Sequence, residues 1–80
     1  MKAKVYITLK AGVLDPQGKA TEQALHRLGF KGIREVRQGK IIEIDFDQID
    51  SVQARKDIEN MCQKLLSNTV IEDYSIELDK

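Results

Sequence analysis

Groups that carry out chemistry are scarce in this sequence, which has one cysteine, one histidine and no tryptophan. A single cysteine excludes an internal disulfide framework, and alone it cannot build a zinc or iron–sulfur site. Cys62 stands beside Met61 in an apolar helical pattern, so we expect it to be a buried small hydrophobe. His26 falls on the polar side of a predicted helix, where we expect a solvated side chain rather than a general base. We therefore expect no catalytic residues and no cofactor or metal site on this chain.

Long apolar runs and an excess of charge of one sign are also missing. No segment approaches the roughly 20 apolar residues that cross a bilayer. The N-terminus leads into a strand pattern with no signal peptide before it, so we expect a reducing, cytoplasmic setting. The net charge is zero, which argues against a nucleic-acid binder.

The charges are nonetheless divided along the chain. Positions 1–40 hold nine basic residues against three acidic ones, and positions 41–80 hold four against ten. Interleaved strands would cancel this division within one sheet. Separate halves would instead give the molecule a dipole suited to binding a second copy.

Hydrophobic periodicity predicts strands and helices in the order βαββαβ. Apolar residues alternate in the first, third and last strands, at Val5, Ile7 and Leu9, at Ile42, Ile44 and Phe46, and at Tyr74, Ile76 and Leu78. The second strand, at 32–37, has the least regular pattern, and Gln38-Gly39 after it is a hairpin-turn candidate. The first helix starts after Asp15 and stops at Gly29. The second is capped by Asp50 or Ser51, and its apolar stripe consists of Ala54, Ile58, Met61, Cys62, Leu65 and Leu66.

This order predicts one α+β, ferredoxin-like domain over residues 1–80. We expect a four-stranded antiparallel sheet, in the strand order four-one-three-two, with two helices on one face. The other face stays bare, and we place Tyr6, Thr8, Ile41 and Glu43 on it. A domain this small hides only about 60 to 65% of the surface of its unfolded chain. We therefore expect it to associate through sheet faces or edges, as a dimer or tetramer.

Residues 9–18, with the sequence LKAGVLDPQG, join the first strand to the first helix and contain the only proline. Pro16 suits the first turn of a helix, because the N–H that it lacks would have no partner there. Asp15 is then a helix cap, since its carboxylate can accept the unpaired N–H groups of that turn. Gly12 and Gly18 allow either a positive φ or a close approach by another backbone, and the sequence leaves both possibilities open.

The same ten residues resemble the turn of the PurS family, the small subunit of phosphoribosylformylglycinamidine (FGAM) synthase. Two further segments are similar to that family: residues 24–30, which resemble its first helix and helix exit, and residues 36–40, which resemble its central hairpin. Together these segments lie within residues 4–46, and chain length suits the family as well. After Phe46 the resemblance rests on the order of elements.

The resemblance implies a small, non-catalytic assembly subunit in purine biosynthesis. Its partners would be the large ATP-dependent synthetase subunit, PurL, and the glutaminase subunit, PurQ. The complex would use ATP, Mg and glutamine, none of them bound to this chain, and the chain would bridge the two subunits and support ammonia transfer. We expect no nucleic-acid or membrane partner. The residues expected to contact a partner are Lys10, Gly12, Asp15, Gln17, Gly18, Arg37 and Lys40.

Other interpretations of the residues stay open. A domain of the ACT type, which senses small molecules, also pairs through sheets, and it is the alternative function. Glu43, Asp45 and Asp47 alternate along one strand and suggest a cation site, although a solvated strand face explains them better. Lys10, Arg34, Arg37 and Lys40 suggest a phosphate contact or a contact with an acidic partner surface.

Overall fold

The computed structural model describes residues 1–79, which fold into an α+β domain built on a three-stranded antiparallel sheet. Along the chain the elements are β1 (Lys2–Leu9), α1 (Pro16–Arg27), β2 (Gly39–Asp45), α2 (Ser51–Met61), a π-helical turn (Cys62–Leu66) and β3 (Glu72–Asp79). β1 lies in the centre of the sheet and pairs with β2 on one side and β3 on the other. This neighbourhood confirms the predicted order for the first, third and last strands.

The core lies between one face of this sheet and α2. Its buried side chains are Ala3, Val5, Ile7, Ile58 and Cys62. The inward residues of the edge strands, such as Ile44 and Ile76, are half-buried and pack against this cluster. The alternation that predicted these strands is therefore confirmed, and Cys62 is a buried free thiol as expected.

The opposite face of the sheet is uncovered within residues 1–79 and carries paired charges. Lys2 stands opposite Asp45 on β2 and Asp79 on β3, while Lys4 stands opposite Glu43 and Glu77. Cross-strand neighbours of opposite charge stabilise a sheet, so within the sheet the basic and acidic halves interleave. Tyr6, Thr8, Ile41 and Glu43 occupy this face, as predicted, and Tyr6 donates a hydrogen bond of 2.7 Å from its hydroxyl to Glu77 Oε2.

α1 ends as the sequence predicts. The N–H of Gly29 donates to the carbonyl of His26, and the N–H of Phe30 donates to the carbonyl of Leu25. These two bonds and the positive φ of Gly29, 95°, form a Schellman motif, in which glycine is favoured because it has no Cβ.

The predicted second strand is wrong, since residues 32–37 form no strand. This segment runs beside α1 instead: the carbonyl of Ile33 lies 3.0 Å from the imidazole Nε2 of His26. The backbone N–H of Gln38 bonds to a side chain rather than to a strand. Without that strand Gln38-Gly39 is no hairpin turn, and Gly39 begins β2. The fourth strand of the predicted sheet is therefore not shown.

The expectation that both helices cover the sheet is also wrong for α1. No α1 residue belongs to the core cluster, and the one buried residue of α1 is Gly18. α1 and residues 28–36 together project from the sheet, and we call residues 16–36 the arm. The molecule is 49 Å long, whereas an eight-residue strand spans about 26 Å. Its radius of gyration is 16.1 Å, against about 12 Å for a compact domain of this size.

The second helix differs from its prediction near its C-terminus. Asp50 is its N-cap and accepts from the N–H of Val52 at 2.9 Å, and Ala54 and Ile58 are buried as predicted. The turn that follows is π-helical, with the N–H of Ser67 donating to the carbonyl of Cys62. A wider turn rotates the residues beyond Cys62, so Leu65, predicted to face the core, is 83% exposed.

No helix in the described part of the chain is both long enough and apolar enough to span a bilayer.

Candidate functional site

The 9–18 turn and the start of β2 lie against each other, and they bring most of the predicted site residues together. The turn leaves β1 at Leu9, and the N–H of Lys10 donates to the carbonyl of Ile71, just before β3. The N–H of Val13 donates back to the carbonyl of Lys10 at 3.1 Å, which closes the turn. A φ of 86° at Gly12 permits this geometry, and such a φ favours glycine.

Asp15 is buried and links two parts of the chain. Its Oδ1 accepts from the N–H of Gly18 at 2.9 Å, which confirms the predicted helix cap. Its Oδ2 accepts from the N–H of Gln38 at 2.6 Å, 23 residues further along the chain. Hydrogen bonds to a carboxylate favour its charged form. The bond from Gln38, then the bond from Gly18, hold the pKa of Asp15 below its ordinary value.

Gly18 is required by close approach rather than by its φ. A Cβ at this position would overlap the carbonyl oxygen of Val36 and the carboxylate of Asp15. The two possibilities that the sequence left open are thus divided between the glycines, because Gly12 has a positive φ and open space around it.

Arg37 holds the turn from the opposite side. Its guanidinium donates to the carbonyl of Val13 at 2.9 Å and to that of Lys10 at 3.1 Å, with that of Leu9 at 3.5 Å. A planar guanidinium presents several N–H donors in a fixed fork, which suits neighbouring carbonyl oxygens. Glu35 lies 3.6 Å from the same guanidinium. Most of the hydrogen-bonding capacity of Arg37 is therefore used inside the chain.

The remaining predicted residues point outward. Lys10 forms an exposed ion pair with Asp73, at 2.8 Å between Nζ and Oδ1. Gln17 and Lys40 are exposed and line a shallow groove, together with Pro16 and Gln38. These polar groups suit hydrogen bonding to a surface that approaches the groove.

Sequence reasoning missed two groups of this region, the backbone N–H of Gln38 and the carboxylate of Asp73. The first has no signal in the sequence, because any residue other than proline supplies an N–H. The second follows only from the strand register, which places Asp73 opposite Thr8 and so beside the end of β1.

Other groups with predicted roles lie apart from this region. His26 is exposed on the arm, and Arg34 is exposed in its returning segment. Glu43 and Asp45 are exposed on the bare sheet face. Burial raises the pKa of the Cys62 thiol, which keeps it in the unreactive protonated form at neutral pH.

The sequence and the fold are both similar to those of known proteins. The family described as PurS, phosphoribosylformylglycinamidine (FGAM) synthase, matches residues 2–80. The FGAM synthase subunit PurS of Archaeoglobus fulgidus is 49% identical, over 95% of this chain and 95% of its own length.

Two solved structures extend the comparison. The crystal structure of Methanocaldococcus jannaschii PurS, one of the subunits of formylglycinamide ribonucleotide amidotransferase in the purine biosynthetic pathway, is 43% identical. It has a TM-score of 0.88, covering 99% of this chain and 95% of that one. A chain in the structure of PurLQS from Thermotoga maritima is 25% identical, with a TM-score of 0.85, covering 95% of this chain and 93% of that one.

These matches do not favour the small-molecule-sensing alternative. They extend over nearly the whole chain, including the part after Phe46, where the sequence offered only the order of elements. This chain therefore belongs to the PurS family of FGAM synthase subunits.

Proposed function

We propose that this chain is the non-catalytic assembly subunit of FGAM synthase. It bridges the large ATP-dependent synthetase subunit, PurL, and the glutaminase subunit, PurQ, so that ammonia released at one reaches the other. The observation that carries this proposal is the likeness, over 95% of the chain, to a chain in the Thermotoga maritima PurLQS structure. ATP, Mg and glutamine act on the partner subunits in this proposal, and the complex works in the cytoplasm.

The partner contact in this proposal lies at the groove between the 9–18 turn and the start of β2. Gln17 and Lys40 are the residues proposed to touch a partner directly, because both are exposed and line this groove. Lys10 contributes to the same surface if a partner carboxylate replaces Asp73. Gly12, Asp15, Gly18 and Arg37 support the surface from within, since their geometry serves the turn itself.

The same proposal includes self-association, as a dimer or tetramer. α1 has 12 residues, and a helix of this length is marginal in water unless its apolar side packs against something. Leu28 in the arm is 74% exposed and Phe30 is 58% exposed, and Leu14, just before the arm, is 74% exposed. The arm and the residue leading into it therefore present apolar surface. A second copy that covers the arm would bury these side chains.

The test is reconstitution. The purified chain should hydrolyse neither glutamine nor ATP, and it should restore glutamine-dependent synthesis of FGAM when mixed with the synthetase and glutaminase subunits. Turnover by the chain alone, removed by substituting one of its own polar side chains, would contradict the proposal. So would failure to bind either partner.

Gln17→Ala tests the direct contact. We expect it to leave the melting temperature nearly unchanged and to weaken complex formation, because the Gln17 side chain is exposed and lines the groove. Gln23→Ala is the matched control, because it removes an exposed side-chain amide elsewhere on the same helix. Equal weakening by both variants would overturn the assignment of Gln17.

A further inference from the structure

The arm is attached to the rest of the molecule in an unusual way. Among residues 1–79, no hydrogen bond joins residues 16–36 directly to the sheet or to α2. The arm also contributes no side chain to the core cluster. Two short connections of the chain, residues 10–15 and residues 37–38, therefore carry the hydrogen bonds of the attachment.

Two side chains tie these connections to each other. Asp15 belongs to the outgoing connection and accepts from the N–H of Gln38 in the returning one. Arg37 belongs to the returning connection and donates to the carbonyls of Lys10 and Val13 in the outgoing one. The ties are reciprocal, because each connection supplies one charged side chain to the backbone of the other. Hydrogen bonds with one charged partner are shorter and stronger than neutral ones.

The connections are otherwise able to bend. Gly12 lies in the outgoing connection, with open space where a Cβ would be, and residues 37–38 of the returning one form no regular secondary structure. The hydrogen bonds of Asp15 and Arg37 are therefore what keeps the two connections from acting as a hinge. Close packing of Gly18 against the Val36 carbonyl holds the two sides of the arm together above these ties.

We infer that Asp15 and Arg37 form a joint that sets the direction of the arm relative to the sheet. They act in assembly as positioning residues, not as partner contacts. Their effect on the complex passes through the arm, whose exposed apolar residues and neighbouring groove must meet partners at a fixed angle. This inference rests on the proposed function for its effect on the complex, but not for the joint itself.

Distance measurement tests the joint without any partner. Spin labels are attached to cysteines introduced by Lys31→Cys on the arm and Gln53→Cys on α2, both exposed positions, while buried Cys62 stays unlabelled. Labelled protein is diluted with unlabelled protein, so that the distances measured lie within one copy. We expect a narrow distribution in this parent, a broader one with Arg37→Lys, and the broadest with Arg37→Gln. Lysine offers a point charge that can serve one carbonyl at a time rather than a fork.

Arg34→Lys and Arg34→Gln are the matched controls, because Arg34 is exposed, lies three residues before Arg37 and carries the same charge. Neither control should change the distribution. Unchanged distances with Arg37→Gln, or equal broadening with Arg34→Gln, would overturn the inference. Circular dichroism shows whether α1 is intact, and Asp15→Asn, which keeps one carbonyl oxygen acceptor, supplies an independent second variant.

The consequence for the complex is measured in the reconstituted enzyme with two nitrogen sources. Glutamine-dependent synthesis needs correct coupling of two active sites, whereas added ammonium salt supplies the synthetase directly. We expect Arg37→Gln to lower the glutamine-dependent rate on the order of tenfold, since small displacements at a distance from the chemistry can cost this much. The ammonia-dependent rate should change by less than about twofold, and Arg37→Lys should restore part of the loss.

The two possible failures are distinguishable. If the parent chain does not restore synthesis, the proposed function fails, while the distances still decide the joint. If the parent restores synthesis and Arg37→Gln lowers both rates equally, or neither, the positioning role is wrong.

Discussion

At the scale of single residues, Asp15 in the 9–18 turn has two structural roles. Asp15 caps α1 through one oxygen and holds Gln38 through the other. The cap could be predicted because Asp before Pro at a helix start has a local physical reason. The second bond could not, because its donor is a backbone group far along the chain. Sequence therefore indicated that Asp15 matters, and the fold gave it a second partner.

The pKa of Asp15 leads to a pH dependence. A carboxyl group whose pKa is lower in the folded state stabilises the fold above its unfolded pKa, and this contribution is lost as pH falls toward the folded pKa. The loss should therefore begin near the ordinary value of 3.8 and continue below it. Urea denaturation at pH 7 and at decreasing acid pH should show a decline in stability that is smaller in Asp15→Asn. Asp45→Asn, on the exposed sheet face, is the control, and an equal change in both variants would contradict this explanation.

For Gly18→Ala we expect a change in stability opposite to the one that helix propensity alone predicts. Alanine in a helix interior is usually favoured over glycine by roughly 1 kcal/mol. Here the added Cβ would overlap the Val36 carbonyl oxygen, which is backbone and cannot rotate away. Gly18→Ala should lower the melting temperature. A stabilised Gly18→Ala would show that residues 34–37 do not lie against α1.

At the scale of elements, local pattern predicted β1, β2, β3 and α2 because each has one face that must be buried. Alternation in strands and the stripe in α2 both reflect contact with one core. The pattern at 32–37 failed because Ile33 and Val36 lie beside α1 rather than in a sheet, and two apolar residues three apart suit that surface equally well. Leu65 failed for a different reason, since it lies within the π-helical turn, whose wider winding turns its side chain to solvent while Leu66 still packs against the core.

Because of the π-helical turn, we expect alanine substitutions along the predicted apolar stripe of the second helix to lower stability by unequal amounts. Ile58→Ala should destabilise the fold by about 2 to 5 kcal/mol, because Ile58 is fully buried. Leu65→Ala should change stability by no more than about 0.5 kcal/mol, because its side chain is 83% exposed. Urea denaturation of the two variants is a direct comparison. Similar losses would indicate a regular α-helix through Leu66.

At the scale of the whole molecule, an elongated shape replaces the compact layers that the order of elements predicted. The sheet cancels its own charges, since Lys2 and Lys4 stand between acidic neighbours. The arm keeps four basic residues against two acidic ones, away from the sheet. The interleaved interpretation of the divided charge therefore applies to the sheet, while the arm keeps a small excess of basic residues.

Because the arm exposes apolar side chains, we expect the protein to self-associate, so that its apparent molecular mass rises with concentration. Leu28→Ser with Phe30→Ser should weaken self-association, because both side chains are largely exposed on the single chain and would be covered by another copy. Sedimentation equilibrium over a range of concentrations measures this. Ile49→Ser, which changes an apolar side chain 95% exposed near α2, is the control. Unchanged mass in the arm variant would show that another surface joins the copies.

The sequence by itself determined the three strands of the sheet, the family and the caps of both helices, including Asp15 in the 9–18 turn. The caps depend on contacts between near neighbours, which leave a short local motif, and the strands depend on one repeated apolar face, which leaves a periodic pattern. Only the tertiary structure decided that α1 stands away from the sheet and that Leu65 faces solvent. It also decided that Asp15 and Arg37 form hydrogen bonds to distant backbone groups of the same chain. Those outcomes depend on which distant backbone groups come within hydrogen-bonding reach, and backbone groups are the same at nearly every position of a sequence.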